Sequence, residues 1–162
     1  MREDLLDLMH RLPPPVAVFC IAMLPVFELR GAIPAGYAMG MTSPVLVYLL
    51  AVAGNFVPVL PILVLLGPVE RFLRRWRIWD RFFTWLFRRT VSRSKLIKRY
   101  ESLGLILFVA IPAPITGAWT GAVAAYLFKL PLRMAGPCII LGILIAGVVV
   151  TLVSQGVISL WR

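Results

Sequence analysis

Residues 12–67 form one long apolar run that carries just two charges, Glu28 and Arg30. A charge at the centre of a membrane helix costs roughly 2.5–3.5 kcal/mol on insertion scales. An acid and a base kept at that cost are the first candidates for a functional site. Pro25, Gly31, Pro34, Gly36 and Gly40 crowd around the pair. Proline removes a backbone donor and glycine weakens a helix, so the helix is expected to break here. Broken helix is tolerated at membrane depth only where protein buries it or it lines a cavity.

The rest of the composition places that pair in a membrane. Sixty per cent of the 162 residues are hydrophobic and 15% are charged, against about a quarter charged in soluble domains. Mean hydropathy is +0.91. The length is that of one domain, so the class is an integral membrane protein. The net charge of +10 is not spread as a nucleic-acid binder would spread it. Eleven of the seventeen Lys and Arg residues fall between positions 71 and 99, the pattern of a cytoplasmic membrane loop. No nucleic-acid partner is expected. Cys20 and Cys138 are far apart, without zinc spacing or a disulfide framework, and read as small core residues. The only histidine is His10, and no Ser/His pair, metal-ligand cluster or nucleotide loop is present. The chain does not read as an enzyme.

Taken in order, residues 2–11 mix acids and bases and read as a short amphipathic helix on the membrane surface. No cleavable signal is read, because the apolar core runs into Glu28 and Arg30. The stretches 15–27 and 31–41 are each too short to cross, since a spanning helix needs roughly 20 residues. Residues 44–67 are long enough, with Asn55, Pro58 and Pro61 as irregularities. Asn55 reads first as a hydrogen bond to a neighbouring helix and second as a substrate contact. In the connector 70–99, Phe72, Trp76, Trp79, Phe83, Leu86 and Phe87 gather on one helical face. Arg71, Arg74, Arg77, Arg81, Arg88 and Arg89 take the other. That is the pattern of a helix lying in the bilayer interface, where residues 71–99 would meet anionic headgroups. Residues 102–128 are uncharged and broken near Pro112, Pro114 and Gly117. The last run, 134–160, is again long enough to cross.

Two similar halves emerge: a broken segment and a full span, twice over. Pro25 precedes Gly31-Ala32 by six residues and Pro112 precedes Gly117-Ala118 by five, a weak likeness beside the shared order of elements. The expected fold is an all-α integral membrane protein: an inverted repeat of two re-entrant helical hairpins plus two full transmembrane helices. An interfacial amphipathic basic helix joins the halves. It is one membrane domain over 1–162, with half one at about 12–67, the connector at 68–100 and half two at about 101–160. Paired interrupted segments are the sequence pointer to a transporter's binding site. Two topologies stay open, with the connector cytoplasmic in both. If segments 14–41 and 102–128 are re-entrant, the loop 129–133 is cytoplasmic and both chain ends lie outside. If both segments span, that loop faces outward and the ends lie inside.

At the two broken segments, FELRGAIPAGYAMG and IPAPITGAWTGAVAAYLF, the chain resembles a known prokaryotic family, the "small multi-drug export protein" family. That family is related to the DedA/VTT superfamily. The likeness runs from residue 25 to about 156, and TGAWTGA is its most specific piece. The resemblance implies a multi-pass protein of the prokaryotic cytoplasmic membrane, with two re-entrant helices packed tip to tip and a transport role. DedA relatives are linked to recycling the carrier lipid undecaprenyl phosphate, with membrane-embedded acids and arginines carrying the work. This chain departs from that in its second broken segment, which holds no charge; the nearest are Glu101, Lys129 and Arg133.

Roles follow from side-chain chemistry. Arg30 offers a planar fork of donors suited to phosphate. A half-helix starting at Gly31 would add free amides and a positive dipole end. Thr116, Trp119 and Thr120 could add hydrogen bonds from the second hairpin. Desolvation favours a proton on Glu28 and a nearby Arg30 opposes it, so Glu28 reads as a proton carrier. Pro34, Pro112 and Pro114 set bends, and Gly36–Gly40 and Gly117–Gly121 allow close helix packing. The blander reading makes Glu28 and Arg30 a neutral buried pair. The expected function is a flippase, a proton-coupled translocator of an anionic polyprenyl phosphate such as undecaprenyl phosphate. The alternative is a proton-coupled exporter of lipophilic cations, which wants an acid without a neighbouring arginine. A non-transporting scaffold comes third. No cofactor is expected beyond the proton as coupling ion. Membrane lipids are the expected partners, and half-membrane elements in so small a chain make a homodimer plausible.

Overall fold

A computed structural model of the chain describes residues 12–73, 75–77, 80–81, 84, 101–112 and 116–160. The surface helix expected over 2–11 and most of the basic connector lie outside the described residues. The elements are α1 (Pro14–Met23), α2 (Glu28–Ala38), α3 (Pro44–Phe56), α4 (Val59–Leu73), α5 (Glu101–Ala110), α6 (Ala118–Leu127) and α7 (Leu132–Leu160). Among the described residues every element is a helix.

Two stretches are long and apolar enough to cross a membrane: Pro44–Phe72 and Leu132–Leu160, each 29 residues, with hydropathy 2.4 and 2.6. At 1.5 Å per residue each reaches about 43 Å, more than a hydrocarbon core of about 30 Å. Only 28% and 39% of their most apolar windows are buried, where the core helix of a water-soluble protein would be mostly covered. Val64, Leu65, Leu152 and Val153 stand exposed on them. Lipid is the solvent that suits such surfaces, and the chain is a membrane protein. By contrast, the ten residues of α1 extend about 15 Å.

One compact unit comprises the described residues up to Val57 together with those from Leu144 onward; the other is Pro58–Ile143. In the first, prolines at the start of α1 pre-set its backbone. Ser43 caps α3 by accepting the Leu46 amide at 3.4 Å, ahead of Pro44. Between them the chain doubles back. A Cβ built on Gly36 would meet Val18 at 2.8 Å and Val47 at 3.1 Å, whereas an unbroken helix would hold residues 18 and 36 about 27 Å apart. So α2 returns alongside α1, and α3 turns back again beside both. Gly54 of α3 lies directly against the Phe19 carbonyl and the Ala22 side chain of α1. Ala17, Val18, Ile21, Leu29, Ile33 and Val47 fill the space between the three. The Tyr48 ring packs on Gly147 of α7, and its hydroxyl donates to the Leu144 carbonyl at 3.2 Å.

The second unit uses the same devices. A Cβ on Gly121 of α6 would meet Val109 and Leu105 of α5, so these two helices also fold back on one another. Gly142 of α7 sits against Val109 and the Ile106 carbonyl, much as Gly54 sits against Phe19 and Ala22. Both short helices stop alike. Met41 N–H donates to the Gly36 carbonyl and Gly40 N–H to that of Tyr37; Leu130 N–H donates to Ala125 and Lys129 N–H to Tyr126. These are Schellman closures, with Gly40 at φ +84° and Lys129 at φ +57°. The matched stops pair AGYAMGM with AAYLFKL. Nine residues before each tyrosine stand Glu28 and Gly117.

The two tyrosines differ in their partners. Tyr126 donates to a Glu70 carboxyl oxygen, whereas the Tyr37 hydroxyl is buried with no hydrogen-bond partner among the described residues. Tyr126→Phe should cost about 1 kcal/mol, as loss of a hydrogen bond does. Tyr37→Phe should be neutral or stabilising. Thermal unfolding in detergent checks the pair, and equal effects would contradict it.

Candidate functional site

Glu28, at 6% exposure, and Asn55, at 1%, are the buried polar side chains among the described residues. The backbone explains why Glu28 sits where it does. Pro25 forces the residue before it out of the helical region, and Leu24 is extended at φ −77°, ψ 134°, ending α1. After the turn 25–27, the Glu28 amide donates back to the Leu24 carbonyl at 2.9 Å. Glu28 itself is left-handed, at φ +47°, a conformation that costs a residue with a Cβ about 1–2 kcal/mol. Strain of this kind gathers at functional sites. The acid is thus fixed at the tip of the α1–α2 pair, buried, at the first residue of α2.

Arg30 follows in the first turn of α2, partly buried, with the Glu28 carboxylate acting on it electrostatically. Gly31 does not start the helix as expected. The helix begins three residues earlier, and the Gly31 amide is spent on the Phe27 carbonyl at 2.9 Å. A side chain at 31 would collide with Phe27, so the glycine serves packing. Pro34, exposed, lies inside α2 one turn beyond Arg30.

In the second unit Pro112 is exposed at the end of α5, and Pro114 lies outside the described residues. The Thr116 hydroxyl donates to the Ile111 carbonyl at 2.7 Å, closing its own loop. Gly117 caps α6. The Thr120 hydroxyl donates to the Gly117 carbonyl at 3.3 Å, and Trp119 is half-buried. Both threonine protons are therefore used within their own loop or helix turn. Lys129 and Arg133 are exposed. An acid in this unit, Glu70, makes a tertiary contact through Tyr126. That pairing was not read from the sequence.

The charges at the tip of α1–α2 can be added. A helix N-terminus carries roughly +0.5 of an elementary charge. With Glu28 ionised, Arg30 and the helix end leave a weakly positive site; with Glu28 protonated, the site gains a full positive unit. A proton on Glu28 therefore makes the site attractive to an anion.

Fold and site together define a helical membrane protein with an acid–arginine pair held where a short helix begins. Such pairs inside apolar segments mark substrate and ion pathways. The chain belongs to the family described as "Putative small multi-drug export protein", whose model matches residues 28–149. The description gives the family a transporter-type role. No curated protein and no solved structure matches the chain.

Proposed function

We propose that this protein is a proton-coupled transporter of the prokaryotic cytoplasmic membrane that translocates an anionic polyprenyl phosphate, undecaprenyl phosphate being the type. The observation that carries this reading is Arg30 in the first turn of α2 beside the buried, strained Glu28. Protonation of Glu28 removes the negative charge that acts on Arg30, and the phosphate takes its place as the anion there. When Glu28 loses its proton it pairs with Arg30 again and the headgroup is released. Proton and anion thus move together.

The remaining parts of the proposal fit around that pair. The short, folded-back pairs α1–α2 and α5–α6 act as re-entrant hairpins, two copies of an inverted repeat, which also makes a relation to the DedA/VTT superfamily natural. Gly31, Pro34, Pro112 and Gly117 shape the two tips. Thr116, Trp119 and Thr120 line the second. The basic connector holds anionic headgroups at the surface, and two copies of the chain form the working unit. The family description favours a second reading, proton-coupled export of a lipophilic cation. Arg30 beside Glu28 opposes it, because a cation site is weakened by a fixed positive charge.

The test is transport of farnesyl phosphate in proteoliposomes with an imposed pH gradient, for wild type, Glu28→Gln and Arg30→Ala, each checked for insertion. Wild-type transport should rise with the gradient. Glu28→Gln should lose that response, and Arg30→Ala should weaken headgroup binding at least tenfold, about 1.4 kcal/mol. Movement of tetraphenylphosphonium but not of the lipid, dependent on Glu28, would establish the cation reading. Movement of neither would leave the pair structural and the scaffold in place.

A further inference from the structure

Asn55 is the second buried polar residue of the first unit, and nothing so far uses it. It belongs to the buried stripe of α3, Val47, Ala51, Gly54 and Asn55, whose other members are small or apolar. The close seat of Gly54 on Phe19 and Ala22 fixes its level. Those residues are the last turns of α1, immediately before the turn that delivers Glu28. Asn55 is therefore at the tip of the α1–α2 pair, at the same end as the acid and Arg30. Its carboxamide oxygen is buried and has no hydrogen-bond partner among the described residues. Leaving a buried acceptor unmade costs free energy, and a valine or alanine would have continued the stripe without that cost. An orphan acceptor at the same end of the helix pair as an arginine and a protonatable acid suits a ligand that is an anion and still carries one proton.

We propose that Asn55 is a recognition residue of this site: its carboxamide oxygen accepts a hydrogen bond from the P–OH of a singly protonated phosphate monoester whose other oxygens face Arg30. The assignment rests on the anionic-headgroup reading given above. It adds a specificity that reading lacks. A site with Arg30 alone takes phosphate monoesters and diesters equally, whereas a site with Asn55 leaves its acceptor unpaired against a diester, which has no P–OH. Selection by a group left unpaired against the wrong ligand is the stronger kind of discrimination.

Binding of farnesyl phosphate and of its methyl diester to the full-length protein in detergent tests this, with Asn55→Leu and Asn55→Ala beside wild type. Wild type should prefer the monoester about tenfold. Both variants should bind the two ligands alike, with melting temperatures at or above wild type because the orphan acceptor is gone. Retained preference in the variants, or equal affinities in wild type, overturns the assignment while leaving the headgroup reading intact. A melting temperature several degrees lower in both variants also overturns it, since Asn55 would then be holding the fold. If wild type binds neither ligand, the headgroup reading falls and Asn55 with it. Inorganic phosphate should compete poorly; competition as effective as that of farnesyl phosphate would make the site one for free phosphate and overturn the lipid assignment.

Discussion

Gly54→Ala should lower the melting temperature in detergent sharply, with a destabilisation of about 3 kcal/mol, the upper end of what overpacking a core costs. The reason is the identity of the obstacle. The new methyl would land on the Phe19 carbonyl oxygen and within 3.0 Å of the Ala22 side chain. A crowded side chain can change rotamer, but a helix carbonyl cannot, so α1 and α3 must move apart. Because α1 ends in the turn that presents Glu28, the shift should reduce transport as well. Gly142→Ala should destabilise too, since its methyl would meet Val109 at 2.6 Å and the Ile106 carbonyl at 3.0 Å. Gly136→Ala and Gly156→Ala are the controls. Nothing lies within 4 Å of either added methyl, and alanine favours a helix over glycine by about 0.8–1 kcal/mol. If Gly54→Ala melts with these controls, α1 and α3 are not packed as described.

Glu28 yields the second large effect, and three neutral replacements separate its charge from its backbone. Gln, Asn and Gly all remove the carboxylate, so all three should abolish the response of transport to a pH gradient. They differ in what they do at φ +47°. Glutamine keeps the left-handed strain, asparagine tolerates that region better, and glycine adopts it freely. Stability should therefore rise from Glu28→Gln through Glu28→Asn to Glu28→Gly, the ends differing by about 1 kcal/mol. A protein that becomes more stable as it loses coupling is one whose acid is held for work. If Glu28→Gly is instead the least stable of the three, the side chain at 28 is packing the tip and the strain has another origin.

How much of this was legible beforehand depends on the range of the forces involved. The spans were plain because lipid demands a long apolar stretch wherever a helix crosses, and composition alone records it. The breaks were plain because Pro25 and Pro112 act on their own backbone. Glu28 and Arg30 stood out because charge is rare in such runs. The start of α2 was placed three residues late, since no residue type announces a left-handed glutamate and glycine was the natural guess for a helix end. The matching stops of α2 and α6 were not legible, because they are a pattern of carbonyls closing a helix, to which Gly40 and Lys129 contribute alike. The Glu70–Tyr126 contact joins residues 56 apart and was beyond any local pattern. Asn55 was read first as a bond between helices; its oxygen has none among the described residues.

The stop at the end of α6 has one more consequence. Gly40 makes its turn at no steric cost, but Lys129 makes the same turn with a Cβ in the way. The chain carries that burden at a position where glycine would serve the backbone better, so what Lys129 supplies must be something glycine lacks, and that is a charge. The loop after α2, residues 39–43, is uncharged, while the loop after α6 holds Lys129 with Arg133 close behind. Insertion machinery sorts short loops by their positive residues. Two helices that end in the same backbone form therefore lead into loops of different electrical address, and the awkward lysine contributes to that difference at a cost to its own backbone.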